Sequence, residues 1–467
     1  MIEDMICVPG PGTRRGGMAR FGPLEAVSPR RRVLYDHGMI RLSTTAADFP
    51  AAFAALLAQA RETTEDVGET VAAIVAAVRS RGDAALLDYT ARFDRLALSA
   101  EHLRIQPTEI ETAIATIPPE QVAALDVAAT RIEAFHRAQL PGDLCFTDAT
   151  GLTLGMRWTP LDAVGLYVPG GKAAYPSSVL MNALPARVAG VARIAMCVPA
   201  PDGVLNPLVL AAARCGGVAE IYRVGGAQAV AALAYGTASI APVDRIVGPG
   251  NAYVAEAKRQ VFGHVGIDSI AGPSEVVILA DASNDPARIA IDLLAQAEHD
   301  EAAQAILITT DAHFANAVAG AVAAALPGLP RAAIAGTSWD AHGAVIVARS
   351  WEEAAELVNR LAPEHLQLML PDPERVFAKV RHAGAVFLGG WCPEALGDYV
   401  AGPNHVLPTG RTARFASGLS VFDFLKRTTF VAADEAALAR VGPAAVTLAE
   451  AEGLQAHARS VAMRLGQ

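Results

Sequence analysis

The sequence predicts an α/β fold in which two doubly wound, open-sheet domains carry helical N- and C-terminal extensions. From Asp162 onward, short apolar runs alternate with turns that contain glycine or proline and with stretches of helical period, a pattern typical of parallel α/β layers. The chain has 467 residues, more than a single hydrophobic core usually serves. Hydrophobic residues make up 52% of it and charged residues 18%, which indicates a large buried interior.

The first part of the chain is predicted to be helical after a short extension. Residues 1–38 are rich in proline, glycine and arginine and lack the apolar segment of a secretory signal. We expect them to be disordered, or translation to start at Met39. Apolar residues recur at helical spacing between Phe53 and about His136. Residues 39–161 are therefore predicted to be mostly helical and to pack against the second sheet domain.

Apolar runs define the strands of both predicted sheets. Because Gly272 and Pro273 interrupt the pattern, we assign one incomplete Rossmann-like unit to residues 162–270 and a second to residues 271–422. Residues 423–467 are rich in alanine and glutamate and predict a helical tail. The runs are "AVGLYVPGG", "RIAMCVPAP", "EIYRVGG", "DRIVGPG", "EVVILAD", "QAILITT", "GAVIVA", "LQLML" and "AVFLGG".

Composition excludes several classes of partner. With 38 Lys and Arg against 48 Asp and Glu, the formal net charge is −10, which offers no basic field to a nucleic-acid backbone. The apolar stretches are far shorter than the ~20 residues of a membrane-spanning helix. The cysteines are scattered without a close pair, so neither a disulfide framework nor a thiolate zinc cluster is predicted. We expect a cytoplasmic protein that binds neither nucleic acid nor membranes.

Two polar pairs are candidates for chemistry. Gln296 and His299 lie three positions apart in the helix-period segment "IDLLAQAEHD", so they share one face and could reach one metal ion. Glu364 and His365 follow Pro363, which disfavours a helix, and are predicted to lie in the turn before a strand. An adjacent carboxylate and imidazole can take two protons from two different atoms. Taken alone, each pair is more often a satisfied histidine or a helix-end charge pair.

The glycine- and proline-rich segment from Gly397 to Gly418 predicts a long ordered loop, and such loops are usually functional. Within it, Asp398 offers an anionic ligand and His405 a neutral donor or acceptor. Shortly after the loop, Ser420 and Asp423 could simply cap the structure that follows.

The tail adds a further candidate ligand, His457, with Glu452 about one and a half turns earlier on the predicted helix. A site without sulfur, compatible with zinc, cobalt or manganese, would then comprise Gln296, His299, Asp398 and His457.

A dinucleotide site is favoured by turns rather than by the standard fingerprint. No G-x-G-x-x-G follows a predicted strand. Instead, three strand-to-helix turns offer small residues and free backbone N–H groups at a helix start, where phosphate binds well. These turns are "YVPGGKAAYPSS", "VGGAQAV" and "GPGNAYVAEAKRQ".

Together these segments resemble the histidinol dehydrogenase family from about Met39 to the C-terminus. The resemblance implies a zinc- and NAD-dependent oxidation of L-histidinol through L-histidinaldehyde to L-histidine, the last steps of histidine biosynthesis. It assigns residues 162–270 to NAD and residues 271–422 to zinc and catalysis. In the family's order, the blocks are "GLYVPGG", "YPSSVLMNALPARVAGV", "VGGAQAVAALAYGT", "VGPGNAYVAEAKRQVFG", "IAGPSEV", "QAEHD", "APEHL", "NHVLPT" and "SGLSVFDF".

The resemblance also implies roles for individual residues. One zinc ion per subunit would be held by Gln296, His299, Asp398 and His457. The proton-handling residues would be Glu364 and His365. The substrate contacts would be the four zinc ligands together with His365, Ser274, His405 and Glu452. The cofactor contacts would be Tyr167, Gln228 and Asn251.

The implied mechanism and assembly follow from the same resemblance. Zinc would orient the substrate by its imidazole and amino nitrogens, His365 would take the alcohol proton, and Glu364 would draw a proton from water before the second oxidation. The family is a homodimer whose C-terminal tails cross, so His457 and Glu452 would complete the partner's site.

Three other functions fit parts of the pattern. A related dehydrogenase could oxidise a different polyol, although Ser274, His405 and Glu452 retain the histidinol-type contacts. A zinc hydrolase could use Glu364 to activate a metal-bound water but would not need the dinucleotide turns. A non-catalytic metal-binding protein would have no use for the pair Glu364 and His365.

Overall fold

The computed structural model describes residues 38–59, 67–170, 175–270 and 272–467. The prediction for the N-terminal extension concerns residues 1–38, of which residues 1–37 lie outside the described residues. Among the helices of the described ranges, none combines the length and the apolar character needed to cross a membrane.

The N-terminal part contains strands as well as the predicted helices. The first strand, β1 (Ile40–Ser43), joins the edge of the second sheet by parallel pairing with a strand near residue 344. Apolar residues at helical spacing form α1 (Phe49–Leu57), α2 (Gly68–Arg81), α3 (Asp83–Phe93), α4 (Pro107–Ile114) and α5 (Pro119–Ala138). Two antiparallel strands follow, β2 (Leu144–Thr147) and β3 (Thr153–Pro160).

The first α/β unit alternates strands and helices as predicted. Its strands pair in parallel in the order β6-β5-β4-β7-β8. In chain order the elements are β4 (Ala163–Tyr167), α6 (Pro176–Ala189), β5 (Arg193–Cys197), α7 (Pro207–Gly216), β6 (Glu220–Tyr222), α8 (Gly226–Tyr235), β7 (Arg245–Val247), α9 (Ala252–Val261) and β8 (Gly266–Ile267).

The second unit repeats this topology, with β1 added at its edge, in the order β1-β11-β10-β9-β12-β13. All of its strand pairings are parallel. In chain order the elements are β9 (Glu275–Ala280), α10 (Pro286–Ala297), β10 (Gln304–Thr309), α11 (Ala312–Ala325), α12 (Ala332–His342), β11 (Ala344–Val347), α13 (Trp351–Leu361), β12 (His365–Met369), α14 (Pro373–Phe377), β13 (Ala385–Leu388) and α15 (Glu394–Tyr399).

Both faces of each sheet are buried, which explains the continuous apolar runs in the sequence. In β9, for example, Val276 and Ile278 belong to the core on one face, and Val277 and Leu279 to the core on the other. Each apolar run that was predicted to form a strand overlaps one of these strands. The predicted fold class, two doubly wound and incomplete Rossmann-like open sheets, is confirmed.

The prediction of a helical tail from residue 423 was wrong in its first part. The chain forms β14 (Leu425–Ala432), which pairs antiparallel with β3 along its whole length. Its Thr-Thr-Phe-Val sequence favours an extended strand, and β3 offers an edge to pair with. Only then do helices α16 (Glu435–Ala451) and α17 (Gln455–Ala462) follow.

Candidate functional site

Six of the twelve predicted site residues line a cavity of about 210 Å³ between the two α/β units. The first unit contributes the carboxyl edge of its sheet, through the start of α6 and the turn after β7. The second contributes the amino edge of its sheet, through segments that precede β9, β10 and β12. The cavity is lined by Tyr175, Ser177, Ser178, Pro249, Gly250, Gly272, Ser274, His299, Glu364, His365, Asp398, Tyr399, His405, Val406, Leu407 and Thr409.

The backbone of Glu275 holds the predicted catalytic pair. After α13, Ala362 adopts a left-handed conformation with φ 47° and Pro363 prevents a further helical turn, so the chain enters β12 directly. Parallel pairing with β9 then places both side chains beside Glu275. The Glu275 N–H donates to Glu364 Oε2 at 2.9 Å, and His365 Nδ1 donates to the Glu275 carbonyl oxygen at 3.1 Å.

Burial shifts the pKa values of the two predicted proton-handling groups in opposite directions. It lowers the pKa of His365 to about 4, so the imidazole is neutral near pH 7. Because Nδ1–H is donated to Glu275, Nε2 carries the lone pair. This nitrogen has no hydrogen-bond partner among the described residues and lies 3.7 Å from Asp398 Oδ1. Burial, reinforced by the negative charges of Glu275 and Asp398, raises the pKa of Glu364 well above its usual range. The neutral imidazole can therefore accept a proton from a bound substrate, whereas Glu364 can do so only in its ionised form, which burial disfavours.

Three of the four predicted zinc ligands lie on this side of the cavity. Gln296 is fully buried near the end of α10, and its Nε2 lies 3.2 Å from Nδ1 of His299, which follows the helix. Gln296 Oε1 is buried without a hydrogen-bond partner in the described part of the chain. Asp398 lies on the short helix α15, not in the loop where the sequence placed it. An orphaned amide oxygen beside an imidazole and a carboxylate fits a zinc site of nitrogen and oxygen donors.

A second carboxylate, which was not among the predicted site residues, lies on the same face of α15 as Asp398. Glu394 precedes Asp398 by four positions and is buried, with Oε1 3.6 Å from His365 Nδ1. Burial raises its pKa well above the usual range. One ligand atom each from His365, Glu394 and Asp398 lies within 4.8 Å of the others, so these residues could also hold a cation. The i, i+4 spacing was the available signal, but Asp398 was predicted to lie in a loop, where this spacing does not bring two side chains together.

Ser178, also missed from the sequence, connects the first unit to the predicted substrate residue His405. His405 Nδ1 donates to the Asp398 carbonyl oxygen at 2.9 Å, and Ser178 Oγ lies 3.3 Å from His405 Nε2. The next contact along α6 is made by Asn404, whose Nδ2 donates to the Met181 carbonyl oxygen at 2.5 Å. The loop after α15 is therefore fixed against α6.

Substituting Ser178 by alanine is expected to lower kcat/KM for the substrate about 3- to 10-fold, because His405 Nε2 loses its donor and the ring is less well oriented. Steady-state kinetics would measure the change. The matched control is Ser177→Ala, since Ser177 lines the same cavity and its side chain has no hydrogen bond to another residue of the described ranges. Equal activities in the two variants would contradict the positioning role.

The predicted cofactor residues occupy the carboxyl edge of the first sheet. Tyr167, at the end of β4, is buried, and its hydroxyl oxygen accepts from the Gly226 N–H at 3.1 Å. Gln228, in α8, is 1% exposed, and its Oε1 has no hydrogen-bond partner within the described ranges. Asn251 caps α9 by accepting from the Val254 N–H at 3.2 Å. The three predicted turns thus meet along one edge, as a nucleotide site requires.

A buried ion pair fixes the turn between β7 and α9. Lys258 and Asp268 pair in the interior, and their remaining bonds go to Gly248. The Gly248 N–H donates to Asp268 Oδ2 at 2.7 Å, while Lys258 Nζ donates to the Gly248 carbonyl oxygen at 3.1 Å. Gly248 has φ 114°, and a Cβ atom there would lie 2.0 Å from the Tyr167 carbonyl oxygen.

Gly248→Ala is therefore expected to lower the free energy of unfolding by about 2 kcal/mol or more, because it combines left-handed strain with a backbone clash. Urea unfolding followed by circular dichroism would measure it. Gly263→Ala is the matched control, since Gly263 also has positive φ, at 97°, but open space around its Cβ position. If both variants lose a similar free energy of unfolding, the contact with Tyr167 contributes nothing to stability.

The tail residues Glu452 and His457 do not join the site within one chain. Both are exposed, and neither lines the cavity. The sequence predicted that the two residues lie on one helix, and in the structure they do not. Glu452 caps the end of α16, Gly453 follows with φ 74°, and α17 begins at Gln455.

Comparisons with known proteins agree with the fold. The sequence profile of histidinol dehydrogenase matches residues 57–465. Histidinol dehydrogenase from Gluconobacter oxydans (strain 621H) is 70% identical over 427 residues, which cover 91% of this chain and 99% of that protein. Its counterpart from Rhodospirillum rubrum is 62% identical over 429 residues, with 92% and 99% covered.

A solved structure extends the agreement to three dimensions. The crystal structure of histidinol dehydrogenase from Elizabethkingia anophelis matches with a TM-score of 0.89 at 36% identity, covering 93% of this chain and 99% of that one. Profile, sequence and structure thus lead to one conclusion: the chain belongs to the histidinol dehydrogenase family.

Proposed function

We propose that the chain catalyses the zinc-dependent oxidation of L-histidinol through L-histidinaldehyde to L-histidine with two NAD, as the last steps of histidine biosynthesis in the cytoplasm. Family membership supports the substrate. The observation that carries the chemistry is the pair Glu364 and His365, held side by side by the backbone of Glu275 in the cavity between the units.

The residues present fit the two bound groups that the proposal requires. Gln296, His299 and Asp398 would hold zinc together with His457 of a second subunit, while Tyr167, Gln228 and Asn251 would contact NAD. When bound, zinc would orient the substrate's imidazole and amino nitrogens, and NAD would accept hydride.

His365 acts in the first oxidation. Its Nε2 is unprotonated and faces the cavity, so it takes the alcohol proton as hydride leaves the carbon. The hydrogen bond from Nδ1 to the Glu275 carbonyl fixes the tautomer and also stabilises the imidazolium that forms. The aldehyde produced stays in the cavity, where Ser274, His405 and, from the second subunit, Glu452 would contact it.

Glu364 acts in the second oxidation. Its carboxylate, a stronger base than an exposed one because burial raises its pKa, draws a proton from water as the water adds to the aldehyde. With a second NAD bound, the hydrate would give up hydride and one hydroxyl proton, and the carboxylic acid formed would ionise to the carboxylate. Oε2 of Glu364 keeps its bond from the Glu275 N–H throughout, which holds the group in place.

The proposal includes a homodimer in which each tail completes the partner's site. It is supported by the exposed positions of His457 and Glu452 and by exposed apolar residues in the same region, Leu448 at 65% and Met463 at 71%. We expect His457→Ala and Glu364→Gln subunits, each inactive in histidine formation, to restore activity when unfolded and refolded together. Random pairing would regenerate about a quarter of the sites. No recovery, with heterodimers present by native mass spectrometry, would contradict tail exchange.

The overall reaction is tested by incubating zinc-loaded protein with L-histidinol and NAD and following NADH and product together. We expect two NADH per histidine and loss of activity on chelation. The second candidate is oxidation of another polyol on the same scaffold. Turnover of such a polyol with none of histidinol would replace the proposal, and turnover that stops at one NADH and the aldehyde would remove Glu364 from its role.

A further inference from the structure

Helix α6 contains a proline in its buried interior. Pro185 has no N–H group, so the carbonyl oxygen of Met181, four positions earlier, lacks its helical donor. Met181 is fully buried, and bulk water therefore cannot reach this carbonyl. In α16, by contrast, Pro443 deprives the carbonyl of Ala439, which belongs to an exposed residue that water can reach. The carbonyl in α6 needs a donor from elsewhere in the chain.

Asn404 supplies that donor from the loop after α15. Its Nδ2 donates to the Met181 carbonyl oxygen at 2.5 Å across 223 positions of the chain, and its Oδ1 accepts from the Val406 N–H at 2.9 Å. Both ends of this buried amide are therefore occupied. An aspartate would keep the second bond but could not make the first, because an ionised carboxylate has no hydrogen to donate. The amide thus joins the loop to α6 through the carbonyl that Pro185 leaves without a helical donor.

The predicted substrate residue His405 follows Asn404 directly, so the amide fixes the backbone beside it. The His405 ring lines the cavity, where Nδ1 donates to the Asp398 carbonyl oxygen at 2.9 Å and Nε2 lies 3.3 Å from Ser178 Oγ. Ser178 and Met181 are three positions apart on α6 and share one face of the helix. One face of α6 therefore holds both the ring of His405 and the backbone next to it.

We infer that Pro185 is a positioning residue for His405: it withholds one N–H from the interior of α6, which leaves the Met181 carbonyl to Asn404, and that bond sets the ring of His405 at the cavity. A proline ring also crowds the carbonyl four positions earlier and bends the helix, which opens that carbonyl to a side chain from outside. An alanine at position 185 would restore the helical bond and compete with Asn404. The inference rests on the proposed function only in that His405 contacts the substrate.

Hydrogen–deuterium exchange of the full-length, zinc-loaded protein, followed by mass spectrometry, tests the positioning without any substrate. Pro185→Ala and Asn404→Ala should each speed deuterium uptake about threefold or more in peptides that cover residues 402–419, because the loop loses its bond to α6. A Pro185→Ala chain whose loop exchanges at the original rate would overturn the inference. So would one that fails to fold, since Pro185 would then serve the packing of α6 rather than the bond to Asn404.

The matched control is Asn359→Ala. The Asn359 amide makes the same two kinds of bond, to the Lys379 carbonyl oxygen at 2.9 Å and from the Arg381 N–H at 2.6 Å, but none of these three residues lines the cavity. Its loss should leave deuterium uptake by residues 402–419 unchanged. If this control speeds uptake there as much as Asn404→Ala does, the bond from Asn404 has no specific role and the inference is wrong.

Steady-state kinetics test the consequence for the reaction. Pro185→Ala and Asn404→Ala should each raise KM for histidinol about threefold or more and leave KM for NAD unchanged. The double variant should be no worse than either single one, because both changes act on one bond. An unchanged KM for histidinol, or effects that multiply in the double variant, would refute the role. If the loop exchanges faster but even the unsubstituted chain does not oxidise histidinol, the proposed function fails while the positioning of His405 by Pro185 stands.

Discussion

Replacing His365 by asparagine is expected to lower kcat for histidinol oxidation by ~10²- to 10⁴-fold, the usual contribution of a positioned general base. Asparagine Nδ2 can still donate to the Glu275 carbonyl oxygen in place of Nδ1, so the backbone contact is kept while the basic Nε2 is removed. Pre-steady-state formation of NADH from histidinol would measure the first oxidation directly.

The control for this variant is its zinc content and its melting temperature, both of which should match those of the unsubstituted chain, since His365 is not among the predicted ligands. A variant that keeps more than a tenth of the original rate with zinc bound would show that another group takes the proton. Because Glu394 lies 3.6 Å from His365 Nδ1, it would be the first residue to substitute next.

Replacing Glu364 by glutamine is expected to stop the reaction halfway. Glutamine keeps the size of the side chain and an oxygen to accept from the Glu275 N–H, but it cannot draw a proton from water. We expect the first oxidation to continue, with one NADH per histidinol and L-histidinaldehyde as product, while histidine formation falls by ~10²- to 10⁴-fold. Product analysis by chromatography beside NADH absorbance would separate the two steps.

Glu298→Gln provides the comparison, because it removes a carboxylate next to His299 without touching the catalytic pair. It should still yield two NADH per histidine. If Glu364→Gln also yields two NADH per histidine, water is activated by another group. If instead the first oxidation is lost as well, Glu364 serves both steps, and the division of roles with His365 is wrong.

The fold was predictable where local pattern and tertiary environment agree. The buried parallel strands read as apolar runs because both faces of each sheet are covered. Strands β1 and β14 were not predicted, because their local sequence and their tertiary environment do not agree in this way. β1 has four residues and a partner some 300 positions away along the chain, and β14 is exposed along nearly its whole length, so no burial pattern marks it.

The site was predictable where it depends on short-range spacing. The pairing of Gln296 with His299 follows from their helical separation, and the turn before β12 follows from Pro363. Contacts between segments that are distant in the chain could not be predicted from such spacing. Ser178 meets His405 across 227 positions, and Glu394 faces His365 only because α15 packs against β12. The break between Glu452 and His457 depends on Gly453, a single residue whose left-handed conformation the helical pattern concealed.

The two sheets present opposite edges to the cavity. This arrangement suits a reaction in which one reactant must be exchanged for a fresh molecule while the other stays bound. The proposed chemistry consumes two NAD molecules in succession, yet the intermediate is a reactive aldehyde that would combine with free amines if released. Because the predicted cofactor residues and the predicted catalytic pair belong to different units, the proposed reaction would let spent cofactor leave from one side of the cavity while the other side retains the aldehyde. Under the proposed function, this separation would allow two NAD molecules to react in turn while one substrate molecule stays bound.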